Sequence, residues 1–307
     1  MAERELIEYV RRLAQREEPA WLELGIGDDA AVVALPGDGR AVLTTDCVVE
    51  GVHFESGTLP QAIGWKAMAR GVSDLAAMAA RPLCTLAAVQ FCRGWGDEAC
   101  CELVGALWSA ARSLSAPLVG GDVASGAACL SVAVTAVGTP GPGGAVSRSG
   151  ARAGDAVCVT GRLGGSILGR HLTFRPRVEE AVELAARCDL HAMIDVSDGL
   201  STDVLHLAQA SGAGVILEAA RIPLSPDAAV LARSSGREPL WHALNDGEDY
   251  ELLFCLPRGR AEELAGAGVR GLEVSVIGEV TGGGESFLIM PDGRREPLLA
   301  QGWEHLR

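Results

Sequence analysis

Seven aspartates carry the chemistry this sequence advertises. Asp28 and Asp29 follow Gly27, and Asp46 follows Thr44-Thr45. Asp74 closes Val72-Ser73-Asp74, and Asp122 follows Gly120-Gly121. Asp195 and Asp198 bracket Asp195-Val-Ser-Asp-Gly199. Several adjoin glycine, so little side-chain bulk screens them. Each one taken alone could cap a helix or serve a turn, which aspartate does routinely. As a set they read as acidic turns between apolar strands, where α/β sheets place ligands. If they converge, two like charges ~4 Å apart repel by ~4 kcal/mol at an effective dielectric near 20. A divalent cation relieves that repulsion, and an all-oxygen set suits Mg²⁺ better than zinc or copper. The residues alone therefore point to a Mg²⁺-nucleotide enzyme.

The elements that must position these carboxylates follow from hydrophobic period. Residues 3–17, 61–80, 98–113, 177–187 and 200–210 carry helical patterns. Residues 41–45, 85–91, 129–137, 156–160, 191–195, 252–256 and 274–277 read as strands, the first ending at Asp46. Helices and strands interleave in both halves, which predicts a mixed α/β (α+β) fold. Gly138-Thr-Pro-Gly-Pro-Gly-Gly144 is the strongest linker signal. It divides the chain into an expected N-terminal domain, 1–138, and a C-terminal domain, 139–307.

Composition removes several alternatives. The chain has 307 residues and a formal net charge of -14. That balance disfavours nucleic acid, and it repels phosphorylated substrates unless cations intervene. Lys66 is the single lysine and lies in Gly64-Trp65-Lys66-Ala67, so no Walker A loop is possible. Gly25-Ile-Gly-Asp-Asp-Ala30 fits the dinucleotide fingerprint on paper. Asp28 and Asp29 would repel a pyrophosphate there, however, and residues 32–36 read as a strand rather than a helix. Nine cysteines without C-x-x-C spacing suggest reduced thiols and a cytoplasmic setting. No apolar stretch is long enough to suggest a membrane span, and the first residues lack a signal-peptide core.

Eight segments, in order, carry a family resemblance. They are Gly25-Ile-Gly-Asp-Asp-Ala-Ala-Val32, Thr44-Thr-Asp-Cys-Val-Val-Glu-Gly-Val-His-Phe54, Ser73-Asp-Leu-Ala-Ala-Met78, Gly120-Gly-Asp122, Ser147-Arg-Ser-Gly150, Ile194-Asp-Val-Ser-Asp-Gly-Leu200, Gly247-Glu-Asp-Tyr-Glu-Leu252 and Gly302-Trp-Glu-His305. Together they resemble the thiamine-monophosphate kinase family, within the aminoimidazole ribonucleotide synthetase-like superfamily. The resemblance implies two α/β domains and a homodimer built through the N-terminal halves. It also implies ATP-dependent phosphorylation of thiamine monophosphate to thiamine diphosphate with several Mg²⁺ ions, by direct in-line transfer.

Matching positions imply metal ligands at Asp28, Thr44, Thr45, Asp46, Asp74, Asp122, Asp195 and Asp198, with Asp46, Asp74, Asp122 and Asp198 central to catalysis. They imply ATP contacts at Gly121, Asp122, Arg148 and Ser197. They imply thiamine-phosphate contacts at His53, Glu248 and Trp303. An aromatic face at Trp303 suits a cationic thiazolium, and arginine at 148 suits phosphate. Lys66 is read as structural. The sequence departs from the family pattern at Asn245-Asp-Gly247, at Ala79-Ala80 and at Gly71. Other superfamily chemistries act on acyl or selenium substrates. The reactive cysteine or selenocysteine of the selenium members and the C-terminal cysteine of the hydrogenase-maturation members are both absent from this sequence. A non-catalytic nucleotide-binding regulator is the alternative from another class.

Overall fold

The computed structural model describes residues 3–14, 19–127 and 129–303. Two sheets organise the chain. The first has six strands in the order β1-β2-β3-β6-β4-β5. Its members are β1 (Leu22–Leu24), β2 (Ala31–Ala34), β3 (Arg40–Val49), β4 (Ala80–Cys92), β5 (Leu118–Gly126) and β6 (Ser131–Pro140). Among these pairings β4 and β5 run parallel and the rest antiparallel. Helices α2 (Pro60–Ala77) and α3 (Asp97–Ser113) cover one face. Pro60 opens α2 at a position where a missing N–H costs nothing. A Cβ at Gly64 would stand 2.8 Å from the α3 backbone at Ala106, so glycine there permits the close helix crossing. The core between these layers holds Ile63, Met68, Leu103, Leu107, Val132 and Val134.

The second sheet has seven strands in the order β13-β12-β9-β11-β7-β10-β8. They are β7 (Asp155–Thr160), β8 (Ala192–Asp195), β9 (Gly214–Glu218), β10 (Leu252–Pro257), β11 (Val274–Thr281), β12 (Phe287–Ile289) and β13 (Arg295–Pro297). Every residue of β7 is buried. One face packs Val157, Val159 and Leu253 against α5 (Leu200–Ala210); the other packs Cys158, Phe254 and Met193 with α4 (Val178–Arg187) and α8 (Arg258–Ala267). Strands and helices are mixed in both halves, and most pairings are antiparallel.

Three sequence expectations change. Strand β3 does not end at Asp46 but continues to Val49, because β6 pairs with it along that whole length. Asp74 lies inside α2 and Asp122 inside β5, so neither is a turn residue. Gly120-Gly121 looks like a turn in sequence, yet it is strand. A Cβ at Gly121 would stand 1.9 Å from the Ala87 carbonyl oxygen, so glycine is needed for the approach of β4 and β5. Helix α1 (Glu3–Ala14) matches the described part of the segment expected over 3–17. Residues 15–17 of that segment, with Glu304 and His305 of the last motif, lie outside the described residues.

Candidate active site

The first part of the site is a buried carboxylate set. Asp29 comes from the loop before β2, Asp74 from α2, and Asp195 from the end of β8. One carboxylate oxygen from each lies within 4.8 Å of the others. The set therefore joins the two sheets. Ser73 Oγ donates to Asp195 at 2.5 Å, and Thr44 Oγ1 donates to Asp74 at 2.6 Å. Burial and the neighbouring carboxylates push Asp195 up to about 7. The same causes hold Asp74 well above the ordinary carboxylate range. Arg148 reaches in, with Nη2 2.6 Å from Asp29 Oδ1. Its backbone N–H donates to Asp28, whose pKa rises to about 6 through burial and the Asp29 charge.

Two buried polar atoms here have no hydrogen-bond partner: Asp29 Oδ2 and Arg148 Nε. One is an acceptor suited to a cation and the other a donor suited to an anion. Buried polar groups are ordinarily paired, so their joint presence marks a place built for ligands. The oxygen-only set Asp29, Asp74 and Asp195 fits a hard divalent cation such as Mg²⁺.

The second part is a pocket of about 270 Å³ between the sheets. His53, Arg70, Ser197, Asp198, Glu248 and Trp303 are among its lining residues. Glu248 sits in the left-handed backbone region at φ 53°, held by its N–H bond to the Ser197 carbonyl at 2.7 Å. Its Oε1 lies 2.6 Å from Lys66 Nζ. Lys66 is fully buried and also donates to the His53 carbonyl at 2.5 Å. It thereby ties together two residues of the expected acceptor site. The last described residues strap Trp303 to α5: Gly302 N–H donates to Thr202 Oγ1, and Trp303 N–H donates to the Asp198 carbonyl. Asp203 orders the same loop by accepting from the N–H groups of Ser197, Asp198 and Gly199 at 3.0–3.1 Å.

The chain brings together some of the expected ligands and separates others. Asp74 and Asp195 meet, and Thr44 supports Asp74. Asp28 stands beside them, engaged by backbone N–H groups. Asp46 is instead gripped by Arg70, whose Nε and Nη2 each lie 3.1 Å from its carboxylate. Asp198 lines the pocket, and one ligand atom each from Asp198, Asp203 and His206 lie within 4.8 Å of one another. Thr45 faces away from α2 and meets Thr135. Asp46 shares a cross-strand row with Val134, Ala87 and Gly121; Asp122 shares the next row with Ala88, Ala133 and Cys47. Neighbouring rows face opposite sides of a sheet. Within one chain, Asp122 therefore points away from Asp46 and stays exposed.

Sequence reasoning passed over Asp29 as a ligand, and over Lys66, Arg70 and Asp203 as site residues. A signal existed for two of them. Lys66, Arg70 and Asp74 recur every four residues, which places them along one face of α2.

Comparison with known proteins gives the family. The family model described as AIR synthase related protein, N-terminal domain, matches residues 27–139, and its C-terminal counterpart matches residues 133–291. The chain is 39% identical to a thiamine-monophosphate kinase of Rhodopirellula baltica, over 92% of this chain and 91% of that protein.

The chain belongs to the thiamine-monophosphate kinase family.

A family member from Mycobacterium tuberculosis is 38% identical over 80% of this chain and 78% of its own. A solved family structure, described as AaThiL complexed with AMPPCP and TMP, superimposes with a TM-score of 0.85 at 29% identity. That match covers 99% of this chain and 97% of the other. Among the described residues, no helix is long and apolar enough to cross a membrane.

Proposed function

We propose that this chain transfers the γ-phosphoryl group of ATP directly to the phosphate of thiamine monophosphate, giving thiamine diphosphate and ADP. The observation that carries this reading is the adjacency of the two parts of the site. The buried set Asp29, Asp74 and Asp195 leads through Asp195-Val196-Ser197 into the pocket of His53, Glu248 and Trp303. The related structure, described as complexed with AMPPCP and TMP, supports a donor nucleotide and a phosphorylated acceptor as the ligands of such a protein.

Asp29, Asp74 and Asp195 would hold Mg²⁺, which when bound neutralises phosphate charge. Arg148 offers Nε and the rest of its guanidinium to a nucleotide phosphate, while Asp29 fixes its orientation. Trp303 offers an aromatic face to the cationic thiazolium. Glu248 offers Oε2, its Oε1 being engaged by Lys66. An acceptor phosphate oxygen attacks the γ-phosphorus, and the bond from that phosphorus to the β–γ bridging oxygen breaks. No general base is required, because a phosphomonoester's second pKa is ~6. What the protein supplies is position and charge compensation.

Residues 1–138 act as the metal- and nucleotide-binding domain, and residues 139–307 complete the site. The outward-facing Asp122 suits a homodimer through the N-terminal sheet, in which it and the adjacent backbone of Gly121 would serve a second chain. The reduced cysteines and the biosynthetic role suit a cytoplasmic enzyme. The test is turnover of ATP made chiral at the γ-phosphorus with isotopic oxygens. Inverted configuration in the terminal phosphate of thiamine diphosphate is expected. Retention, or release of free phosphate alone, would overturn direct transfer.

A further inference from the structure

The acceptor pocket is acidic, yet the acceptor assigned above carries a phosphate. Asp198, Asp246 and Glu248 all line it. Lys66 does not help, since it is buried behind Glu248 and bonded to that carboxylate and to the His53 carbonyl. Among the residues that line the pocket, Arg70 is the one arginine or lysine. We infer that Arg70 receives the phosphate of the acceptor; this rests on the reading of the pocket as the thiamine monophosphate site.

The geometry suits that role. A guanidinium has five N–H donors. Asp46 takes two of them, on the Nε–Nη2 edge, at 3.1 Å each. Charge-assisted pairs usually close to about 2.7–2.9 Å, so this grip is loose. Three donors remain, two on Nη1 and one on Nη2, which form the fork edge that matches phosphate oxygens. Asp46 is anchored mid-strand in β3 and holds the guanidinium in place from behind.

Position along α2 completes the picture. Lys66, Arg70 and Asp74 follow one another at four-residue intervals, a rise of about 6 Å each. One helix face thus presents in series the lysine that fixes Glu248, the arginine at the pocket and the carboxylate of the buried set. A phosphate on Arg70 lies between the acceptor ring and the donor side, where an attacking oxygen must be.

The experiment compares thiamine with thiamine monophosphate as ligands of the full-length protein, by calorimetry without nucleotide. Wild-type protein is expected to bind the phosphate ester at least about tenfold more tightly, the scale of a charge-assisted hydrogen bond. Arg70→Met is expected to lose that preference while keeping its affinity for thiamine. Arg70→Lys keeps the charge without the fork and should recover only part of it. A purely structural Arg70 would change both ligands together, so an Arg70→Met protein that keeps the preference overturns the inference. Should Arg70→Met fold poorly because Asp46 is stranded, Asp46→Asn with Arg70→Met removes both charges and faces the same comparison. Wild-type protein that binds both ligands equally also overturns the inference. Wild-type protein that binds neither overturns the acceptor reading beneath it.

Discussion

The buried carboxylates tie the stability of the metal-free protein to pH, and the sign is opposite to that of an ordinary salt-bridged aspartate. Asp195 holds its proton up to about pH 7 in the folded chain, against 3.8 ordinarily. Between those values the folded state binds more protons than the unfolded state. Stability therefore falls as pH rises from about 4 to 7, and stays low above that window. Asp74 and Asp28 are raised too and act in the same direction. For Asp195 alone, the rise from 3.8 to about 7 corresponds to on the order of 4 kcal/mol. At roughly 2–4 °C per kcal/mol, this is on the order of 10 °C in Tm.

The assay is thermal melting of EDTA-dialysed protein at pH 5 and pH 8, for wild type and Asp195→Asn. Asparagine keeps an acceptor for Ser73 Oγ but carries no charge. The wild-type Tm should drop more on going to pH 8, by about that 10 °C scale. Mg²⁺ should restore much of the loss at pH 8 and do little at pH 5, where protons compete with it. Parallel pH profiles for the two proteins, or a wild-type Tm that rises with pH while the variant's does not, would refute the reasoning.

Three further outcomes follow from contacts around the pocket. Lys66→Met removes the buried partner of the pair with the partly exposed Glu248, so stability should fall by about 1–3 kcal/mol in chemical denaturation; the acceptor KM should also rise as Glu248 loses its anchor. Gly302→Ala puts a Cβ 2.0 Å from the Asp198 carbonyl oxygen, which must displace the strap carrying Trp303. Steady-state kinetics should then show a raised acceptor KM with little change in KM for ATP. Asp203→Ala strands three N–H donors of the 197–199 loop, at about 1–3 kcal/mol each where they are buried. A lower Tm and weaker acceptor binding are expected, with Asp203→Asn milder because it keeps one acceptor oxygen.

Much of the fold was legible because the hydrophobic period was clear. The helix expected over 200–210 is α5, and that over 98–113 differs from α3 by one residue. Strand β5 was not legible, since Gly-Gly-Asp is a turn signal unless the neighbouring carbonyl of Ala87 is known. Short strands such as β12 and β13 carry too few residues to show a period. At the site, residue type revealed the carboxylates, but their partners depend on folding. Asp46 meets Arg70 only once β3 packs on α2, and Glu248 meets Lys66 only once the two sheets close on each other. Asp28 and Asp29 are adjacent in a Gly-Asp-Asp loop, and both lie at the buried carboxylate set, Asp29 with Asp74 and Asp195 and Asp28 beside them. Their shared partner is Arg148, far along the chain, whose backbone N–H engages Asp28 and whose guanidinium engages Asp29.

The central claim is that one site joins ATP to a phosphorylated, cationic acceptor. Its most direct test incubates the purified protein with MgATP and thiamine monophosphate and quantifies both products by chromatography. Thiamine diphosphate and ADP should appear in equal amounts, and both should vanish with EDTA. ADP accompanied by free phosphate and no thiamine diphosphate would contradict the acceptor assignment, and absence of any ATP consumption would contradict the enzyme itself.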